Sequence, residues 1–198
     1  MTTLLVLAST SPYRKLLLER LGLPFETAAP DINEAILEGE TPETLVMRLA
    51  EAKAQAIAPH YPDALIIGSD QVAVLDGDIL GKPGSHDVAT QQLQNASGRH
   101  VTFLTGLCLL NTRSQHLQIK LVPFSVRFRS LSAAQIDYYL TQEKPYDCAG
   151  SFKSEGLGIS LFERLEGEDP NALIGLPLIE LIRLLAEENL DVLSPIKK

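Results

Sequence analysis

The segment Ala64–Pro83, "ALIIGSDQVAVLDGDILGKP", decides the fold. Leu65, Ile66 and Ile67 form an unbroken apolar run, as a strand covered on both faces requires. Gly68-Ser69-Asp70 reads as a break, Val72 and Val74 resume the run, and Asp76-Gly77 is a two-residue hairpin signal before a return strand that ends at Gly81. Antiparallel pairing is therefore expected here. On the N-terminal side the pattern is strand then helix. In "LLVLASTSPYRK" (Leu4–Lys15) a buried strand over Leu4–Ala8 stops at small polar residues, and Ser11 caps a helix with Pro12 at its first position. Leu17, Leu18 and Leu21 form its apolar face and Gly22 stops it. Thr41-Pro42 repeats the signal for a helix to about Ala58, with Leu45, Leu49, Ala52, Ala56 and Ile57 inward.

On the C-terminal side a helix is expected over Asp87–Asn95, then strands over Val101–Leu110 and Leu117–Phe128. In the second, Val122, Phe124, Val126 and Phe128 alternate with Pro123, Ser125 and Arg127. Ser132 caps a helix to about Thr141, a polar loop spans Glu143–Gly156, and Leu157–Phe162 reads as a strand. Pro177 opens a last helix carrying Leu178, Leu181, Ile182 and Leu185. Crossovers and hairpins together predict an α/β fold with a mixed sheet flanked by helices, and disfavour a purely parallel one.

The 198 residues suit one domain over 1–198, and 45% hydrophobic with 21% charged residues is the balance of a soluble globular protein. A net charge of -8 disfavours a nucleic-acid partner, which needs a basic surface, but leaves room for a small anion held by a few local cations. No apolar stretch is long enough to cross a bilayer, and Met1–Leu7 lacks a secretory leader, so no membrane partner and a cytoplasmic location are expected. Cys108 and Cys148 have neither metal nor redox spacing and read as reduced thiols; the four histidines are scattered.

Several charged residues sit where packing alone does not explain them. Arg14 and Lys15 lie in the first turn of a helix, where the macrodipole favours anions. They are either solvated surface cations or, with Ser9 and Ser11, a phosphate cradle. Lys53 falls four residues from both Leu49 and Ile57, beside the apolar stripe, so it either snorkels outward or reaches an anion in a cleft. Asp70 is a carboxylate at the lip of an apolar run, a general-base or metal-ligand candidate. Lys82 follows a hairpin glycine and can project over the same place, although "GDILGKP" lacks the P-loop spacing. Glu34 and Glu155 have no role that their local sequence assigns.

Taken together, "LASTSPYRK", Glu34, "RLAEAKA", "IIGSDQV", "GKP", "SGRHVTFLTGL" and "GEDPNALIGLP" resemble the Maf family of nucleoside triphosphate pyrophosphatases over nearly the whole chain. Within the family, Tyr13, Gln71 and Glu155 are most similar to the branch that hydrolyses 7-methyl-GTP. The branch acting on dTTP and UTP carries arginine, threonine and glutamine there. The resemblance implies an elongated mixed sheet of the Maf/ITPase-like kind, with two lobes around a central cleft, a divalent metal (Mg, Mn or Co) and a homodimer. It implies hydrolysis between the α and β phosphates, with removal of modified nucleotides from the pool and a link to cell-division arrest. Asp70 would be the proton acceptor and, with Glu34, a metal ligand. Lys53 and Lys82 would be catalytic cations, Ser9, Ser11, Arg14 and Lys15 phosphate ligands, and Tyr13, Gln71 and Glu155 specificity residues. Lys15 stands where the family usually has a second arginine and lacks that residue's bidentate fork. The competing readings are a pyrophosphatase for a canonical nucleotide, a phosphoryl or nucleotidyl transferase, and a nucleotide-sensing regulator without important turnover.

Overall fold

The two unbroken apolar runs are central strands. In the computed structural model, which describes residues 4–194, β1 (Leu4–Ala8) lies between β2 (Phe25–Ala28) and β3 (Ala64–Leu75), parallel to both. The termini of the expected 1–198 domain lie outside the described residues. β3 turns through Asp76-Gly77, both with positive φ, into β4 (Asp78–Leu80), which pairs with it antiparallel. It also pairs antiparallel with β5 (His100–Asn111), followed by β6 (His116–Phe128) and β7 (Phe162–Gly167). The sheet order is β2-β1-β3-β5-β6-β7, the mixed sheet expected, with β4 on β3 beyond the end of β1.

Helices cover both faces. α1 (Pro12–Glu19) is capped by Ser11, and α2 (Pro42–Ile57) by Thr41 in a reciprocal capping box with Thr44. α3 (His86–Ala96) and α4 (Ala133–Glu143) cover the distal part of the sheet, where Phe103, Phe128, Leu93 and Tyr139 join one core. The opposite half is a second core of Leu5, Leu7, Ile67 and Leu107 under α1 and α5 (Leu178–Glu187). α2 closes the other face over Val6, Ile66 and Cys108. Two lobes result, with β3 and β5 running through both.

Four expectations are corrected. Gly68-Ser69-Asp70 does not break β3, which is continuous over Ala64–Leu75. Gly68 and Gly106 lie directly beneath α2, which leaves no room for a side chain at either position. That contact also sets the helix phase: Val46, Ala50 and Ala54 face the sheet, Ala52 is only half-buried and Ala56 is exposed. Leu157–Leu161 is a 3-10 turn, and the strand begins at Phe162. On α5, Leu184 is buried and Ile182 lies toward solvent. Strand β2 is an addition that "FETA" did not signal.

Candidate active site

β1 ends at Ala8 while β3 continues, so a crevice opens beyond the carboxyl end of β1, the usual ligand position in open α/β sheets. It is a cleft of about 560 Å³ lined from one lobe by Ser9–Arg14, Glu34, Lys53, Asp70 and Gln71. The other lobe contributes Lys82, Asp147, Cys148, Ser154 and Glu155.

The turn after β1 is ordered by its own hydroxyls. Ser11 N donates to Ser9 Oγ at 3.1 Å, and Arg14 N donates to Ser11 Oγ at 3.4 Å as the cap of α1. Arg14 folds back, donating Nε to the Gly175 carbonyl at 2.8 Å and Nη1 to Ser9 Oγ at 3.5 Å. Burial pushes its pKa down, opposed by the nearby Asp70 and Glu34 carboxylates. Gly175 has φ 112°, a conformation that favours glycine, and its carbonyl also accepts from Ser69 Oγ at 2.9 Å.

Lys53 and Asp70 are both buried, 6% and 8% exposed, and Lys53 Nζ donates to Asp70 Oδ1 at 2.5 Å. The same ammonium lies 2.8 Å from Glu34 Oε1. The inward reading of Lys53 therefore holds: the close seat of α2 on Gly68 and Gly106 carries its stem over β3. The Lys53 hydrogen bond, opposed by partial burial and assisted by Lys82 and Arg14, holds the Glu34 carboxyl below the usual range.

Gln71 is half-buried, and its Nε2 donates to Thr105 Oγ1 at 3.0 Å, the Ala172 carbonyl at 2.5 Å and the Leu173 carbonyl at 3.3 Å. Tyr13 sits between the lobes beside Asp147, Cys148 and Lys153. Burial, with Cys148 and Asp147, raises its phenol pKa against the opposing effect of Lys153. Lys82 and Glu155 are exposed at the rim.

Lys15 is the one expected site residue that the structure leaves outside. It is exposed and absent from the cleft lining, because one helical residue past Arg14 rotates the side chain by about 100°. Sequence reasoning gave no role to Thr105, Ser69 or the Ala172–Gly175 carbonyls. "GEDPNALIGLP" was a motif without a chemistry, and it is a 3-10 turn, Pro170–Ile174, capped by Asp169. Asp169 also accepts from Ile179 N at 2.6 Å, joining the turn to α5.

Among the described residues, no cluster of three His, Cys, Asp or Glu side chains forms a ready metal site, and no helix is long and apolar enough to cross a membrane. A solved structure of the Staphylococcus aureus Ham1 protein aligns with 95% of this chain and all of its own, at a TM-score of 0.53 and 15% identity; it shares the fold. A Pseudomonas aeruginosa protein named 7-methyl-GTP pyrophosphatase is 58% identical over 188 residues, 95% of this chain and 98% of the relative. The Maf-like protein family matches residues 4–188, so the chain belongs to the Maf family.

Proposed function

We propose that the protein hydrolyses nucleoside triphosphates between the α and β phosphates, with 7-methyl-GTP as the preferred substrate. The observation that carries this reading is the juxtaposition of a buried Lys53–Asp70 pair with Arg14 and Lys82 around one cleft. The relative's name supports the choice of substrate. Arg14, with one edge of its fork tied to Gly175, presents its remaining donors to phosphate, while Lys53 and Lys82 offset charge on the departing pyrophosphate. Asp70 takes a proton from the water that attacks the α phosphorus, the α–β bridging bond breaks, and pyrophosphate leaves. N7-methylation makes guanine cationic, so stacking on Tyr13 gains a cation-π contribution. Glu155 accepts from the guanine N1 and N2 donors.

The donor chemistry fits a divalent cation. Glu34 and Asp70 already share one cation, the Lys53 ammonium, and magnesium takes one or two carboxylates with water and phosphate oxygens. The cleft lining sets Arg14, Lys53 and Lys82 against Glu34, Asp70, Asp147 and Glu155, a balance of one negative charge. A triphosphate adds roughly four more, which these side chains alone do not neutralise. Bound by Glu34 and Asp70, the metal would supply charge neutralisation and polarise the phosphate oxygens.

A screen of canonical and modified nucleoside triphosphates with magnesium, manganese or cobalt tests the reaction; pyrophosphate and a monophosphate are the expected products. Replacing Asp70 by Asn should lower kcat by about 10²–10⁴, the usual share of a general base, while nucleotide binding persists. Turnover undiminished in that variant removes Asp70 from the chemistry. If Tyr13→Ala and Glu155→Gln leave the preference for 7-methyl-GTP over GTP and dTTP intact, the base pocket lies elsewhere. A homodimer in the cytosol completes the proposal. Family resemblance supports the first, the two free thiols suit the reducing compartment, and sedimentation tests the assembly.

A further inference from the structure

We infer that Thr105 is a positioning residue for substrate selection, fixing Gln71 so that its Oε1 is presented to the cleft as an acceptor only. The inference rests on the proposed nucleotide reading. Thr105 lies opposite Gln71 in the β3–β5 register and is fully buried. Its hydroxyl donates to the Ala172 carbonyl at 3.0 Å, which leaves its oxygen as an acceptor toward Gln71 Nε2 at 3.0 Å. The other groups around Nε2 are the Ala172 and Leu173 carbonyls, and neither can donate. A flipped amide would set Oε1 against those two carbonyls and turn the NH2 toward the Arg14 guanidinium, itself a donor, so only one orientation is satisfied.

Gln71 Oε1 then remains for the ligand. Among the described residues no hydrogen bond reaches it, and it faces Gly175 on the side where Arg14 lies. An ionised phosphate oxygen has no hydrogen to donate to that acceptor. Its partner is therefore an N–H or O–H donor of the nucleoside part, a base edge or a ribose hydroxyl. The turn over Pro170–Ile174 and Gly175 thus performs two tasks with carbonyls from one stretch of backbone: Gly175 orients the phosphate-facing Arg14, and Ala172 with Leu173 orients Gln71. Thr105 acts only on the second.

Thr105→Val, Thr105→Ser and the wild type separate these tasks. The Val variant should raise KM for 7-methyl-GTP by roughly two- to tenfold, the usual weight of one hydrogen bond, and the Ser variant should restore it. Inhibition by inorganic tripolyphosphate, which has the phosphates and no nucleoside donor, should be unchanged in both. The Gln71 side-chain amide, followed by ¹⁵N NMR, should exchange its hydrogens slowly in the wild type and Thr105→Ser and faster in Thr105→Val. A parallel rise in the tripolyphosphate inhibition constant would show that Thr105 merely supports the turn, and overturns the inference. Equal amide exchange in all three proteins overturns it also, even if no nucleoside triphosphate is turned over. Absence of turnover in the wild type counts instead against the proposed reaction.

Discussion

Replacing Gly106 by alanine tests the contact that sets the position of Lys53. A Cβ at Gly106 would lie 2.5 Å from the Val46 carbonyl carbon and 3.0 Å from Met47 N, closer still to the Val46 oxygen. All three atoms belong to the backbone of α2, so no side chain can rotate away. Relief requires moving the helix off the sheet by about 1 Å, and overpacking of this kind costs about 3 kcal/mol, the upper part of the usual range. Gly106 has no positive φ, so alanine would otherwise stabilise the fold by about 0.5–1 kcal/mol through the unfolded chain. The net expectation is a loss of about 2 kcal/mol, or a Tm decrease of about 4–8 °C for a chain of this size. The same displacement draws Lys53 Nζ away from contacts of 2.5 and 2.8 Å, so turnover should fall more than the folded fraction does. Chemical denaturation and kcat at a temperature where the variant is folded give the two readouts. The two effects have opposite signs, so a Tm equal to or above that of the wild type refutes the flush seating of α2. Gly68→Ala, directly under Ala50, should behave in the same way.

Arg14→Ala should lower kcat/KM by about 10- to 100-fold, the weight of a charge-assisted contact, whereas Lys15→Ala should remain within about threefold because its exposed cation is screened. Steady-state kinetics on both variants decides, and equal losses would return Lys15 to the phosphate site. The Glu34 carboxyl is held below its usual range mainly by Lys53, so it contributes stability at pH values above the usual range that is lost as pH falls through the lowered value. In Lys53→Met a ¹³C titration should find it moved up; the stability change should be small because the Glu34 side chain is 58% exposed. Burial first, with Glu51 for Cys108 and Asp147 for Cys148, pushes both thiols up to about 12. At pH 8 the thiolate fraction is then on the order of 10⁻⁴, and iodoacetamide should label the native protein far more slowly than the unfolded chain. Mass spectrometry follows this, and labelling of Cys148 at the rate of a free thiol refutes the burial argument.

The elements legible in the sequence are those whose signals are local. Caps at Ser11, Thr41 and Ser132, the prolines after the first two, and the Asp76-Gly77 turn depend on neighbours within four residues, and each stands where expected. The failures have long-range causes. Polar residues within β3 read as a break because their partners are remote: Ser69 is satisfied by the Gly106 and Gly175 carbonyls, and Asp70 by Lys53. The inward face of α2 follows from the two glycines beneath it, which periodicity within the helix does not reveal. β2 is four residues long with two exposed side chains in its middle, too short for an alternation to register. In the cleft, Arg14 and Lys53 each admit a plain surface reading when taken alone. Lys53 is decided only by the two carboxylates that meet it, and the direction of the Gln71 amide only by the Thr105 hydroxyl across the sheet and by carbonyls about a hundred residues away.

The cations at the N-terminus of α1 take on a different meaning once Lys53 is placed. Lys53 is neutralised in the free protein by two carboxylates, so gripping a phosphate means giving up at least part of that pairing. Any carboxylate it leaves must find another cation or remain uncompensated in a half-closed cleft, a large penalty. On the proposed reading, the lysine clamp and the divalent cation are therefore coupled: Glu34 and Asp70 would hold the metal, whose charge would stand in for that of the ammonium, and Lys53 would then be free for phosphate. Arg14 differs, because its fork is oriented by neutral acceptors, Gly175 O and Ser9 Oγ, and no ion pair must be broken before it binds. On the proposed reading, Arg14 is thus a preformed anion site and Lys53 a conditional one. On that reading, the initial capture of the triphosphate would fall at the helix terminus, where the macrodipole adds to the attraction.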